Sequence, residues 1–454
     1  MKMDKQFTVS DTQNYSQQFK RVLSLKDLII YGIAFMTPIA PAYIYGSAAE
    51  STKGMLSLSY LIAMLAMMFS AYSYGKMAAA FPVAGSTYSY TQRAINPYLG
   101  FFSGWAMFMD YVLVPLIVFM VGASYANALV PAVPYWVWVL IIAAVITAVN
   151  TVGIELAAKT NNILVLFMGI VVLVFIIFCF KAVYQGAGEG TLISIKPFFD
   201  SENFSTTLII SGAAMACFSF LGFDSITTLS EEALDPRRDI WKAAILSCFI
   251  CGILFILQAY AAQLLWPDVT TFPSSDAALF DIAKKAGGPA MATLYTVAVV
   301  ISTLTAGLTG QSSASRLMFG MGRDQVLPER FFTHLHPKFN TPVYNIMLMC
   351  SISIVGALLL PVSTVAELMN FGGLAGFMCV NLSVVVYYFF TKREKKIFRN
   401  LIIPALGFII CFYLWIHLSH LTLKVGFIWL IVGAVYLALT TRGFKKVPPV
   451  FKGM

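Results

Sequence analysis

Apolar residues fall in twelve long runs, near residues 28–46, 55–74, 98–130, 135–152, 163–180, 206–229, 243–266, 291–318, 344–361, 364–391, 401–419 and 425–440. Each is bounded by turn residues or charges. A hydrocarbon core about 30 Å thick takes roughly 20 apolar residues per helix, so the pattern predicts an all-α membrane protein of twelve transmembrane helices. The run at 98–130 is too long for one straight span, and the last run is short. With the N-terminus in the cytoplasm, 24 of the 30 lysines and arginines lie on the inner side. That bias places both termini inside and makes the chain a multi-pass protein of the cell membrane. The expected parts are a cytoplasmic segment 1–27, a transport core 28–391, a cytoplasmic linker 392–400, two further helices over 401–441 and a cytoplasmic tail 442–454.

Two runs are interrupted in a similar way. The first reads Gly32-Ile-Ala-Phe-Met-Thr37-Pro38-Ile-Ala-Pro41, and the sixth reads Gly212 through Phe218-Ser-Phe-Leu221-Gly222-Phe-Asp224-Ser225. Breaks in spans one and six stand at matching places in two five-span halves, about 28–185 and 205–391, as an inverted-repeat carrier with discontinuous helices would have. Unwound backbone at membrane depth is tolerated where it faces protein, water or a polar solute, so paired breaks mark a cavity. The bland alternative is a proline kink and glycines serving close packing.

Composition agrees with a membrane class. Of 454 residues 59% are hydrophobic, and only 11% are charged, against about 25% in soluble domains. Mean hydropathy is +0.79. The net charge of +9 sits where an anionic inner leaflet attracts it, so no nucleic-acid partner is implied. The seven cysteines lie inside apolar runs and form no disulfide framework, and the polar N-terminus does not resemble a cleavable signal peptide. There is no GxxxxGK[ST] for a nucleotide, and Gly186, Gly188 and Gly190 sit in a loop rather than between strand and helix. His417 and His420 lack a third ligand, so neither a metal site nor a cofactor is expected. Without a His/acid cluster or a soluble output domain, an enzyme or sensor is disfavoured.

Charges deep in the spans carry the chemistry. Asp110 lies about 20 Å along the third span from Pro97, and Asp224 about 10 Å inside Glu231 at the helical rise. A charge at the bilayer centre costs at least about 2.5–3.5 kcal/mol, and no lysine or arginine lies deep enough to pair with them. Two buried acids suit a cationic solute or a transported proton; a structural role, each acid bonded to a tyrosine or a free N–H, is the alternative. Nearby aromatics, among them Tyr43, Trp105, Tyr111 and Phe218, would suit an ammonium group by cation–π contact.

The stretches Phe81-Pro82-Val83-Ala84-Gly85-Ser86-Thr87-Tyr88-Ser89-Tyr90, Phe218 to Asp224, Glu231-Glu232 to Arg237-Arg238, Ser315-Arg316-Leu317 and Gly322-Arg323-Asp324 through Leu327-Pro328 resemble the amino acid–polyamine–organocation (APC) superfamily. Ile95-Asn96-Pro97, Asp110-Tyr111, Cys217 to Glu232 and Pro328-Glu329-Arg330 are most similar to its bacterial putrescine importers. The resemblance implies a LeuT-like core of two inverted five-helix repeats with discontinuous helices one and six, two peripheral helices, and alternating access around a site between spans one, three, six, eight and ten. Amino acid carriers of the superfamily usually break span one with a glycine-rich stretch whose N–H groups hold the substrate carboxylate. Met36-Thr37-Pro38-Ile39-Ala40-Pro41 departs from that pattern, and each proline removes one N–H. A diamine needs no such nest.

These readings converge on a secondary transporter importing putrescine or a related small amine, with a proton. The alternative is a permease for amino acids or another small metabolite, or an exchanger. The candidate substrate site comprises Thr37, Trp105, Asp110, Tyr111 and Pro115 with Phe218, Leu221, Asp224 and Ser225. Asp110 and Asp224 are the proton-coupling candidates, and Glu231, Glu232 and Arg237 the candidate cytoplasmic gate. Sodium stays open as the coupling ion through Thr303, Thr305, Thr309, Ser312 and Ser313.

Overall fold

The computed structural model describes residues 21–81, 86–153, 158–230, 232–323, 328–441 and 443. Among these, eleven helical segments are long and apolar enough to cross a membrane, and the shorter apolar helix Val343–Leu359 makes twelve spans. The expected twelve-span, all-α architecture is borne out.

Span one is α1 (Leu25–Met36), a 3-10 turn over Ala40–Tyr43, and α2 (Tyr45–Ser51). Span two is α3 (Leu56–Ala80); a short helix α4 (Ser86–Ala94) then lies before span three, α5 (Pro97–Leu129). Spans four and five are α6 (Tyr135–Val152) and α7 (Ala158–Tyr184). Span six is α8 (Thr206–Ala216) followed by two 3-10 segments, Cys217–Phe220 and Phe223–Leu229. Span seven is α9 (Pro236–Leu265), and span eight lies in α10 (Ala278–Arg323), which departs from helical geometry at Gly287 and Gly288. After the single turn α11 (Glu329–Phe332) come α12 (Val343–Leu359), α13 (Val362–Val384), α14 (Ile403–Ile416) and α15 (His420–Thr440).

Local sequence sets the helix starts. Ser24 and Asp27 form a reciprocal capping box at α1. Asn96 accepts from the Leu99 N–H, with Pro97 at the first helical position of α5, and Asp235 and Pro236 repeat the device at α9. The 98–130 run is one helix of 33 residues. At 1.5 Å per residue it is about 50 Å long, so it must tilt or project beyond the hydrocarbon.

Elements five spans apart pack on one another: α3 on α9, α5 on α10, α6 on α12, and α1 on the Phe223–Leu229 part of span six. Such mates surround the axis of an inverted repeat. Buried amides tie the bundle: Asn150 donates to Gln311, Gln311 to Thr147, and Gln258 to Tyr295. A buried amide left unbonded would cost about 1–3 kcal/mol, so these pairs fix which helix faces meet.

Candidate substrate site between two interrupted spans

Both interruptions are real breaks. In span one Thr37 has φ +50° and Pro38 follows it, so the α-helix ends at Met36 and restarts as a 3-10 turn. Pro38 has no N–H for the carbonyl of Ala34, four residues back, which is thereby released from the helix ladder. In span six the chain turns at Gly222, φ +111°, a conformation that a residue with a Cβ rarely adopts. A Cβ there would also stand 2.7 Å from the Phe35 ring and 3.3 Å from the Phe35 carbonyl. The two breaks therefore touch through backbone.

On the α2 side of the breaks a hydroxyl network joins spans one and eight. The Ser302 hydroxyl of α10 lies 3.1 Å from that of Thr37 and 3.0 Å from that of Tyr43. The Tyr43 ring stands 6.0 Å from Phe218. Of the span-eight hydroxyls singled out for sodium, Thr303, Thr305 and Thr309 bond carbonyls of their own helix; it is Ser302, their neighbour, that reaches span one. Its signal in the sequence was no stronger than theirs.

On the α4 side lie the acids. Asp224 is 5% exposed, and its Oδ2 accepts a 3.3 Å hydrogen bond from the Ser86 hydroxyl of α4. The other hydroxyls of this segment are spent on their own backbone: Ser225, Thr227, Thr228 and Ser230 donate to the carbonyls of Gly222, Asp224, Ser225 and Thr227. Each bond spans three residues, the same spacing as the backbone bonds of the 3-10 segment Phe223–Leu229. Asp110 is half-buried, and its Oδ1 has no hydrogen-bond partner. It lies within electrostatic reach of Asp224, and Tyr111 feels both acids and Tyr31. Pro115, buried within α5, has no N–H for the Tyr111 carbonyl, so a second backbone acceptor is released beside the acids.

Span ten braces this arrangement. Asn370 of α13 donates to the carbonyls of Ala214 and Met215 at 2.9 and 3.2 Å, just before the span-six break. A Cβ on Gly372 would lie 2.4 Å from the Ala106 carbonyl, one turn before Asp110, and one on Gly373 would lie 2.6 Å from Leu221. Asn370 was not legible as a site residue, because a polar residue in an apolar helix gives no sign of which carbonyls it meets.

Of the expected site residues, Thr37 and Phe218 are linked through Ser302 and Tyr43 on one side of the breaks, and Asp110, Tyr111 and Asp224 lie on the other, with Leu221, Ser225 and Pro115 in the breaks or the helix that faces them. Trp105 stands apart. Its indole N–H donates to the Trp429 carbonyl at 2.8 Å, and Trp429 returns the bond to the Trp105 carbonyl at 2.9 Å. Its ring stacks on Trp429 and Tyr436 of α15. A buried indole N–H needs an acceptor, and the peripheral helix supplies one. At the α4 end, the Glu232 carbonyl accepts from the N–H groups of Val22 and Leu23, and Leu234 N–H donates to the Leu23 carbonyl. Arg237 is exposed in the first turn of α9 and forms no ion pair with Glu232; Glu231 lies outside the described residues. At the opposite end Ser275 donates to the Glu50 carboxylate, and a Cβ on Gly46 would lie 2.1 Å from the Ser275 carbonyl.

Among the described residues no group of three or more His, Cys, Asp or Glu side chains could hold a metal ion. A helical membrane bundle with two broken spans meeting at its middle, and with polar groups gathered there, has the architecture of a membrane carrier. The chain belongs to the amino acid permease family of the APC superfamily, whose family model matches residues 28–448. It is 34% identical over 446 residues to the low-affinity putrescine importer PlaP of Escherichia coli K12, covering 97% of this chain and 98% of that protein. It is 28% identical to the methylthioribose transporter and 26% identical to the branched-chain amino acid permease BcaP of Bacillus subtilis, each over 95% of both chains. The expected superfamily is borne out, and the chain is a multi-pass plasma-membrane transport protein with a small-molecule substrate.

Proposed function

We propose that this permease imports putrescine or a related small cationic amine by alternating access, coupled to a proton, with both termini and the α4 end in the cytoplasm. One observation carries the reading: a buried carboxylate oxygen of Asp110 lacks any hydrogen-bond partner, a second buried carboxylate lies within its electrostatic reach, and among the described residues no cation pairs with either. Buried charge without a partner is costly, and an ammonium group supplies both the missing charge and the missing donors. A diamine offers two such groups joined by a short aliphatic chain. Asp110 and Asp224 would hold its charged ends or give one place to the proton. The carbonyls of Ala34 and Tyr111 accept further N–H groups, Thr37 adds a hydroxyl, and Phe218, Leu221 and Tyr111 cover the methylenes. Glu231, Glu232 and Arg237 would form the cytoplasmic gate. The similarity to a putrescine importer along nearly the whole chain supports the same substrate class.

An amino acid substrate is the competing reading, since BcaP shares 26% identity with this chain. The prolines of the span-one break weigh against it, because they remove N–H groups that a carboxylate would need.

Uptake of radiolabelled putrescine into proteoliposomes tests the proposal. Asp110→Asn and Asp224→Asn should each lower uptake about tenfold or more, as expected for loss of a charged hydrogen bond of about 1.5–3 kcal/mol. Undiminished uptake in both would overturn the assignment, and competition by alanine or arginine but not by diamines would replace the substrate. Collapse of the pH gradient should abolish accumulation, whereas exchange of sodium for potassium should leave it unchanged.

A further inference from the structure

The turn that joins α13 to α14 concentrates five cations, Lys392, Arg393, Lys395, Lys396 and Arg399, around the single acid Glu394. All five are exposed, and none forms an ion pair among the described residues. Glu394 is half-buried and accepts from Asn400 at 3.4 Å. The turn is held in shape: Lys392 N–H donates to the Tyr387 carbonyl, Glu394 N–H to that of Tyr388, and Asn400 N–H to that of Lys396. Wide π-helical turns, Val385–Thr391 and Phe398–Ile402, enclose it on both sides.

A sixth cation comes from another helix. Lys76, near the end of α3, stands 3.9 Å over the Tyr388 ring and within electrostatic reach of Glu394 first, then of Lys396 and Arg399. Apolar side chains are interleaved with these charges. Phe390, Ile397 and Phe398 are 63%, 54% and 66% exposed.

Charge bias between loops accounts for cations at this end of the bundle. It does not account for their convergence on an ordered turn beside bare aromatic and aliphatic side chains. That combination matches the boundary of a bilayer, with phosphates at the level of the ammonium and guanidinium groups and acyl chains below them. Bidentate arginines such as Arg393 and Arg399 suit phosphodiester oxygens.

We propose that this turn, with Lys76, is a binding site for an acidic phospholipid headgroup, filled by the surrounding bilayer. The proposal does not depend on what the permease transports or on which way it faces.

Native mass spectrometry of the full chain, released from nanodiscs of equal phosphatidylglycerol and phosphatidylcholine, tests it. The wild type should retain phosphatidylglycerol in preference. Neutralising the turn as Lys395→Gln, Lys396→Gln and Arg399→Gln should lower that preference roughly fivefold per cation. Neutralising Lys284 and Lys285, in α10 before its break at Gly287, should leave it unchanged. Equal retention of both lipids by the wild type, a preference that survives the triple substitution, or the same loss from the control pair would each overturn the proposal. A melting midpoint raised by phosphatidylglycerol vesicles but not by inorganic phosphate would show that a lipid, rather than a free anion, is the ligand; the reverse pattern would count against it.

Discussion

Asn370 and Gly372 show how single residues place the acids through backbone: Asn370 holds the carbonyls before the span-six break, and Gly372 packs on the backbone of Ala106 and Asp110. Asn370→Ala would leave the Ala214 and Met215 carbonyls without their donor, at a cost of about 1–3 kcal/mol. A lower midpoint in thermal unfolding, together with a raised KM for putrescine, is the expected result. Gly372→Ala acts from the other side, because its new methyl would sit 2.4 Å from the Ala106 carbonyl and push span ten away from span three. Putrescine should then shift the melting curve less than it does in the wild type, where a ligand at 100 times its Kd adds about 2.7 kcal/mol. Thr37 belongs at this scale too. It holds an uncommon positive φ at the end of α1, where its hydroxyl meets Ser302.

Among the elements, α15 has a defined attachment. The reciprocal Trp105–Trp429 bonds join it to α5 five residues before Asp110. Trp105→Phe should lower the melting midpoint, since each neutral hydrogen bond adds about 1 kcal/mol, while leaving the putrescine KM within about twofold. A large rise in KM with unchanged melting would put Trp105 back among the substrate contacts. Here the limits of one-dimensional reading are plain. Hydropathy finds spans, and Gly222, Thr37 and Pro38 announce breaks, because both signals are local in the chain. Helix facing is not local. Nothing in a run of apolar residues tells that Trp105 looks outward to α15 while Asp110, five residues on, comes within reach of Asp224. The short α4 escaped for a related reason: it is polar, so a search for apolar runs passes over Ser86, the residue that donates to Asp224.

For the molecule as a whole, the two ends of the bundle carry different fastenings. At the α4 end, backbone bonds from Val22 and Leu23 to Glu232 tie the start of span one to the end of span six. The broken halves that carry Tyr31 and Asp224 are thereby joined. Leu23→Pro removes one of those donors; slower uptake with an unchanged putrescine-induced melting shift is expected, because turnover rather than binding uses the joint.

At the opposite end the clearance is a single hydrogen atom's worth of side chain, at Gly46 beneath Ser275. A methyl there works as a doorstop: Gly46→Ala would hold the shutter at this end ajar, leave a thiol placed in the passage reactive toward a reagent added on that side, and stall the cycle with its cargo still exchanging there.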